Sequence, residues 1–336
     1  PAVRLHSWMV AYNWRHWAGM LVWLAGFSLL HRSLIRRAPE RDPYIVPIAG
    51  LLTGIGILTI WRLNVNLGAR QTVWLAISIG LFILGLRFPK IFGLLRKYKY
   101  VWAVGALIIT GLTFFFGTYP GGTGPRLWLG CCGVYFQPSE VLKLCLIIYL
   151  AAYLADRWLY QQNLLQLLMP TLLVAGAALL LLVSQRDLGT ASLFIVLYAL
   201  MVYLSSGRRS VLLGGGLLVA AAGIAGYLFF GVIRVRVQAW LNPWADASGN
   251  SYQIVQSLIA IGSGGVFGRG PGLGSPGVVP VAFSDFIFTA IAEELGLVGT
   301  LGILILVGFL TIRGLHISIH AASTFQRYLA AGLSFY

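Results

Sequence analysis

The stretch ASLFIVLYALMVYLSSGRRSVLLGGGLLVAAAGIAGYLFFGVI, residues 191–233, decides the fold. It holds two apolar runs, 191–206 and 211–233, and its charges are Arg208 and Arg209 in the turn between them. Apolar helices of about 20 residues cross a hydrocarbon core roughly 30 Å thick, so the pair reads as two membrane spans joined by a basic turn. Outward from it, apolar stretches at 17–35, 44–61, 72–88, 100–117, 138–155, 167–184 and 286–312 bring the expected spans to nine, and a tenth begins near 328.

The whole chain agrees with its decisive stretch. Of 336 residues, 58% are hydrophobic and 10% charged, and the mean hydropathy is +0.83. Soluble domains carry roughly a quarter charged residues, so an ordinary soluble enzyme, a disordered tail and a secreted disulfide scaffold are excluded. The expected fold class is an all-α polytopic membrane protein, a single integral membrane domain over 1–336. The chain begins at Pro1 and ends at Tyr336 inside the apolar run YLAAGLSFY, too short to span. It is therefore expected to be a piece of a longer product whose C-terminal helices are truncated. No cleavable signal peptide is recognisable at its start.

The net charge is +15, from 24 Lys and Arg against 9 Asp and Glu. Assigning alternate loops to opposite sides places fourteen basic residues on one side and nine on the other, with Lys143 inside a span. The richer side is expected to be cytoplasmic. That side holds RFPKIFGLLRKYK (87–99), whose natural counter-charge is acidic lipid, so nucleic acid is not needed. Cys131, Cys132 and Cys145 lack metal-site spacing, and the histidines at 6, 16, 31, 316 and 320 lie near the chain ends. Neither a structural metal nor histidine base chemistry is expected.

Three segments fall outside: 118–137, the turn 185–190, and the long extracellular loop 234–285. The last carries Trp240, Trp244, Tyr252 and Phe267, which argues for a folded, functional loop. Within it, 251–261 is expected to form a short interfacial helix with Tyr252, Val255 and Ile259 on one face and Gln253, Gln256 and Ser257 elsewhere. Eight glycines follow between 262 and 277. Gly272-Leu-Gly274-Ser-Pro-Gly277 has dinucleotide-fingerprint spacing, but no strand precedes it and Pro276 interrupts it. These glycines are expected to let the backbone approach a ligand or a neighbouring helix.

Nine acids limit the chemistry. Glu40, Asp42 and Asp156 sit among cytoplasmic arginines and read as solvated loop charges. Asp246, in WLNPWADASGNSYQ, is either a turn aspartate or a general base at the membrane surface, kept ionised by Arg234 and Arg236. Glu140 either supports the helix start in QPSEVLK or pairs with Lys143 one turn deeper, facing a cavity. Asp187 is expected to cap the helix from Leu188, with Arg186 facing a cavity, and Asp285 to cap the helix of DFIFTAIAEELG. Glu293 and Glu294 cannot both face lipid cheaply, so one is expected to line a cavity or bind an outer-loop arginine. Arg126 and Trp128 form either an interface anchor in a flexible turn or a basic, aromatic rim for a phosphorylated lipid.

GPRLWL, FQPSEVLK, QRDLGTA, WLNPWADASGNSYQIVQSLIAIGSGGVFGRGPGLG and SDFIFTAIAEELGLVG, in this order, closely resemble the RodA/FtsW (SEDS) family over about residues 44–336. The resemblance implies a SEDS-type multi-helix bundle with a long extracellular loop, and an integral-membrane peptidoglycan glycosyltransferase. Such an enzyme polymerises lipid II into β-1,4 glycan strands at the outer face of the bacterial plasma membrane, in cell elongation or division. It implies Asp246 as general base in an inverting displacement. Arg126, Trp128, Glu140, Lys143 and the turn Gln185 to Thr190 fall on further family motifs. Cations for the leaving pyrophosphate would come from Arg126, Lys143, Arg186, Arg234, Arg236 and Arg269, with a divalent cation as an optional cofactor and no other. Asp187, Gln253 and Gln256 complete the expected substrate-binding set. Membrane lipids and a class B penicillin-binding protein with transpeptidase activity are the implied partners. Phe283 and Ser284 stand where the family usually has His-Thr, and the span 17–35 precedes the family's usual first helix. A lipid II flippase and a non-catalytic scaffold for a transpeptidase are the alternatives; no internal repeat of the transporter kind is visible.

Overall fold

The computed structural model describes residues 14–119, 125–131, 134–156 and 164–336. Arg157, Cys132 and His6 lie outside the described residues. In chain order the helices are α1 (His16–Arg37), α2 (Ile45–Leu63), α3 (Val65–Arg87), α4 (Ile91–Lys97), α5 (Lys99–Gly111) and α6 (Thr113–Phe116). A short antiparallel hairpin follows, β1 (Leu129–Cys131) and β2 (Val134–Phe136), with Gly130 opposite Tyr135. Then come α7 (Pro138–Ala155), α8 (Leu164–Ser184), α9 (Leu188–Ser206), α10 (Arg209–Phe229), α11 (Gly231–Leu241), α12 (Tyr252–Gly264), α13 (Ile287–His320) and α14 (Thr324–Phe335).

Among the described residues, eight helices are long and apolar enough to cross a membrane, α5 and α6 counting as one, and α8 carries a shorter apolar stretch, Leu168–Ser184. All nine expected spans fall on these helices. Four boundaries differ from expectation. α3 starts at Val65 rather than 72, because the Asn64 side chain accepts from the amides of Asn66 and Leu67 and makes the polar turn after it helical. The span expected to reach 233 stops at Phe229, where Phe230 is extended, and α11 begins at Gly231. α13 runs eight residues past 312, with an interruption at Gly296. α14 begins at Thr324, capped by Ser323, rather than near 328.

Contacts divide the chain into two compact units, one of residues 1–88 and 227–313, the other of 89–226 and 314–336. In the first, α1, α2 and α3 pack against one another around Leu30, Leu34 and Ile79. Their apolar faces gain little over lipid, so polar ties carry weight. Trp61 Nε1 donates to Thr72 Oγ1 at 2.9 Å, and Trp23 Nε1 donates to the Gly50 carbonyl at 2.9 Å. Asp42 is not the solvated loop charge expected of it: its side chain is only 6% exposed. Its Oδ1 accepts from the amides of Tyr44 and Ile45 at the start of α2, and its Oδ2 pairs with Arg313.

In the second unit α7 is the central helix, with α5, α8, α9 and α14 around it. Tyr149, Leu150, Ala151 and Ala152 on it are fully buried. A helix apolar all round is enclosed by its neighbours, as α7 is. α8 and α10 instead leave Leu173, Leu180, Leu213 and Leu217 exposed, an apolar surface suited to lipid rather than water. Asp156, at the end of α7, pairs with Arg96 and Lys99 and so is an ion-pair partner rather than a free loop charge.

Candidate active site

Asp246 closes a 3₁₀ turn, Pro243–Asp246, that follows α11. Its carbonyl accepts from the amides of Gly249 and Ser251, both at 3.2 Å, and its Oδ2 accepts from the Asn250 amide at 2.8 Å. The chain thus folds back over the carboxylate. A Cβ at position 249 would lie 2.3 Å from Asp246 Oδ1, so a side chain there would push the carboxylate aside. No donor among the described residues reaches Oδ1, and the carboxylate lines a pocket of about 380 Å³. Trp240 near the end of α11 and Trp244 within the turn are 75% and 60% exposed.

On α11, Val235, Gln238 and Ala239 line the pocket at i, i+3 and i+4, with Leu241 and Asn242 at the helix end. Arg234 and Arg236, the residues before and after Val235, leave the helix about 100° to either side of it. Neither lines the pocket, and among the described residues neither pairs with Asp246. Arg234 donates to the Leu228 carbonyl at 3.0 Å and lies over the Tyr227 ring. The arginine neighbourhood expected for Asp246 is therefore replaced by a backbone amide, because adjacent helical positions point in different directions.

α12 packs through Val255, Ser257, Ala260 and Gly264. Of the expected apolar face, Val255 is buried while Tyr252 and Ile259 are exposed, and Ser257 is buried and shares a 2.7 Å hydrogen bond with Thr289 of α13. Gln253 donates to the Pro280 carbonyl at 3.2 Å, which ties the helix to the following loop. Gln256 is half-buried on the same helix.

The glycine-rich segment has a neighbouring helix as its partner. Gly296 is non-helical (φ 67°, ψ −166°) and interrupts α13. The interruption frees backbone groups in an apolar setting, where each would cost several kcal/mol unpaired. The segment supplies four partners: the amides of Arg269 and Gly270 donate to the carbonyls of Glu293 and Glu294, and the amides of Leu297 and Val298 donate to those of Gly265 and Val266, at 3.0–3.1 Å. Gly268 (φ 79°) approaches so closely that a Cβ would lie 2.1 Å from the Glu294 carbonyl oxygen.

The two glutamates carried by this break both find arginines. Glu294 pairs with Arg62 at the end of α2 and accepts from the Gly272 amide, and Arg62 also donates to the Gly274 carbonyl. Glu293 is buried, accepts from the Ser275 amide at 2.8 Å and lies 3.7 Å from Arg269. Arg269 thus belongs to this cluster. Asp285 does not cap α13, which begins two residues later at Ile287.

The second unit gathers its own polar residues at the starts of α7 and α9. Pro138 opens α7, Glu140 lies in its first turn, and Lys143 Nζ donates to Glu140 Oε1 at 2.7 Å. Lys143 is buried and sits over the Tyr336 ring, whose hydroxyl donates to Glu140 Oε2. Asp187 caps α9 by accepting from the Thr190 amide, and Gln137 donates to its other oxygen at 3.4 Å. Gln185 is buried and donates to the Thr110 carbonyl and Thr113 Oγ1, bridging the α5–α6 junction. Arg186 is exposed with φ 60°, in the left-handed position that ends α8, where glycine is favoured. Arg126 is exposed beside Trp128, whose backbone pairs with Thr118.

Sequence reasoning passed over Arg62, Asn250, Gly249 and Tyr336. The first had a signal: an arginine at a span end suits the two acids placed deep in another span. The amide of Asn250 and the missing side chain of Gly249 act through backbone geometry, which no side-chain pattern announces.

These helices define an integral, multi-pass α-helical membrane protein. The family model for cell cycle proteins of the FtsW, RodA and SpoVE type matches residues 48–336, and the chain belongs to that family. The peptidoglycan glycosyltransferase RodA of Mycobacterium tuberculosis is 35% identical, over 94% of this chain and 72% of its own. A probable peptidoglycan glycosyltransferase FtsW of Geobacter sulfurreducens is 31% identical, over 89% of this chain and 83% of its own. Among solved structures, a chain of a peptidoglycan synthase complex aligns with a TM-score of 0.59 at 23% identity, covering 97% of this chain and 83% of that one. The rod shape determining protein RodA of Thermus thermophilus aligns at 0.51 and 22%, covering 97% and 81%. At these identities the two structures speak for the fold.

Proposed function

We propose that this chain is a peptidoglycan glycosyltransferase that polymerises lipid II at the outer face of the bacterial plasma membrane, with Asp246 as general base. The observation that carries the assignment is the Asp246 carboxylate: it is exposed, held through one oxygen by the Asn250 amide, and opens into a pocket with the other oxygen undonated. The names of the relatives, peptidoglycan glycosyltransferases RodA and FtsW, supply the reaction class.

Oδ1 would take the proton of the acceptor's sugar 4-hydroxyl as that oxygen attacks the anomeric carbon of the donor. The bond from that carbon to the lipid pyrophosphate breaks in the same displacement, inverting an α-linkage to β-1,4, and the pyrophosphate leaves with the electron pair. Arg234 and Arg236, on the helix that lines the pocket, would stabilise that charge. Trp240 and Trp244 would anchor the turn at the membrane interface. Arg126, Lys143 and Arg186 of the second unit are proposed as further substrate contacts, and a class B penicillin-binding protein as the partner supplying transpeptidation.

A second reading, a lipid II flippase, draws on the break in α13, since discontinuous helices mark transport sites. Polymerisation of purified lipid II by the full-length protein in detergent separates the two, because no leaflets exist there to flip between. Polymer that disappears in Asp246→Asn supports the enzyme; a wild type inert with its partner present, or an active D246N protein, would overturn the assignment.

A further inference from the structure

We propose that the groove between α8, α9 and α10 binds one anionic phospholipid, with an acyl chain in the groove and the phosphate on Arg208 and Arg209. The groove has a volume of about 420 Å³ and lies within the second unit. Its walls include Leu172, Ala175, Gly176, Ala199, Gly214 and Leu218, a mixture of small and branched apolar residues. Of its polar lining residues, Tyr198 is already bonded to Thr171 Oγ1 at 2.8 Å and Ser210 lies at the charged end. At about 30 Å³ per water-sized group, a size close to that of a methylene, the space takes roughly a dozen such groups, which suits one aliphatic chain.

The end of the groove is charged. Ser210 and Val211 line it and follow directly on Arg208 and Arg209, both exposed. Among the described residues no carboxylate pairs with either arginine, whereas Asp42, Asp156 and Glu294 each hold a basic partner. Both are therefore open to an anionic headgroup as counter-charge. A lipid tail gains little by leaving a bilayer as apolar as the groove. Selectivity consequently rests on the headgroup, and two adjacent guanidinium groups favour an anionic phosphate diester over a zwitterionic lipid. This site is independent of the Asp246 assignment.

The test is retention of lipid by the delipidated full-length protein, titrated with phosphatidylglycerol or phosphatidylcholine of matched chains and read by native mass spectrometry. Phosphatidylglycerol should be preferred by roughly fivefold for each arginine. Arg208→Gln with Arg209→Gln should bring the two lipids to parity. Gly214→Leu projects into open groove, since a Cβ there meets no atom within 4 Å, and should weaken both lipids while leaving thermal unfolding unchanged. Equal retention of the two lipids by wild type, a preference that survives the double substitution, or undiminished binding in G214L would each overturn the proposal.

Discussion

Asp246 and Glu140 are both carboxylates close to helix starts, yet the protein treats them in opposite ways. Glu140 has both oxygens engaged, one by Lys143 and one by Tyr336, and serves to hold a buried ammonium. Asp246 has one oxygen on a backbone amide and one facing a pocket. A saturated carboxylate is a poor proton acceptor; one with a free oxygen in a solvent-reached pocket can take a proton without breaking a bond. The difference separates a base from a scaffold more sharply than charge or depth does.

The largest effect that would break this comparison is at Asp246. Asp246→Asn should lower lipid II polymerisation by at least about a hundredfold, with thermal unfolding in detergent unmoved. Polymerisation surviving there while Glu140→Gln abolished it would reverse the two roles. Gly249→Ala should cost roughly tenfold in rate, because its methyl group displaces the carboxylate without removing it.

Lys143→Met should act on stability first, lowering it by about 2–3 kcal/mol in equilibrium unfolding, since a half-enclosed partner is left uncompensated. Adding Glu140→Gln should restore part of that loss. Arg186→Gly should raise stability by up to about 1 kcal/mol by relieving the left-handed strain, and lower polymerisation if the guanidinium meets substrate. Unchanged polymerisation would remove Arg186 from the site.

The smallest effect is at Asp42. Burial pushes its pKa up, but the hydrogen bonds and charge of Arg313, with the amides of Tyr44 and Ile45, outweigh it and hold the carboxyl below its ordinary value near 3.8. A depressed acid stabilises the fold above its unfolded value and loses that contribution as pH falls through the lower folded one. Asp42→Asn should therefore differ from wild type in melting temperature at neutral pH and converge with it as pH falls below the ordinary aspartate value and through the lower folded one. A difference that persists at low pH would sever the link.

The membrane fold was legible because apolar runs report directly on the solvent a helix needs. All nine expected spans carry helices, and errors sit at their ends: the turn from Val65, made helical by the Asn64 cap, and the break at Phe230, which cuts an apolar run short. The candidate residues were legible for a related reason, since ionised groups are scarce in such a chain. Glu140 meets Lys143 because three residues on one helix are neighbours by construction. Arg62 meets Glu294 across 232 positions of sequence, a pairing that spacing cannot encode.

The sequence by itself determined the solvent, the helices and the short roster of charges. Tertiary structure alone decided which charges are free: Asp42, expected in solvent, is bound, and Asp246, expected among arginines, has none as a partner among the described residues. Hydropathy is a sum over local residues, whereas a carboxylate's partners depend on where distant backbone amides and guanidinium groups come to rest. The glycines show the same division, for their abundance was plain in the chain, while the amides they bring to the break at Gly296 exist only in the fold.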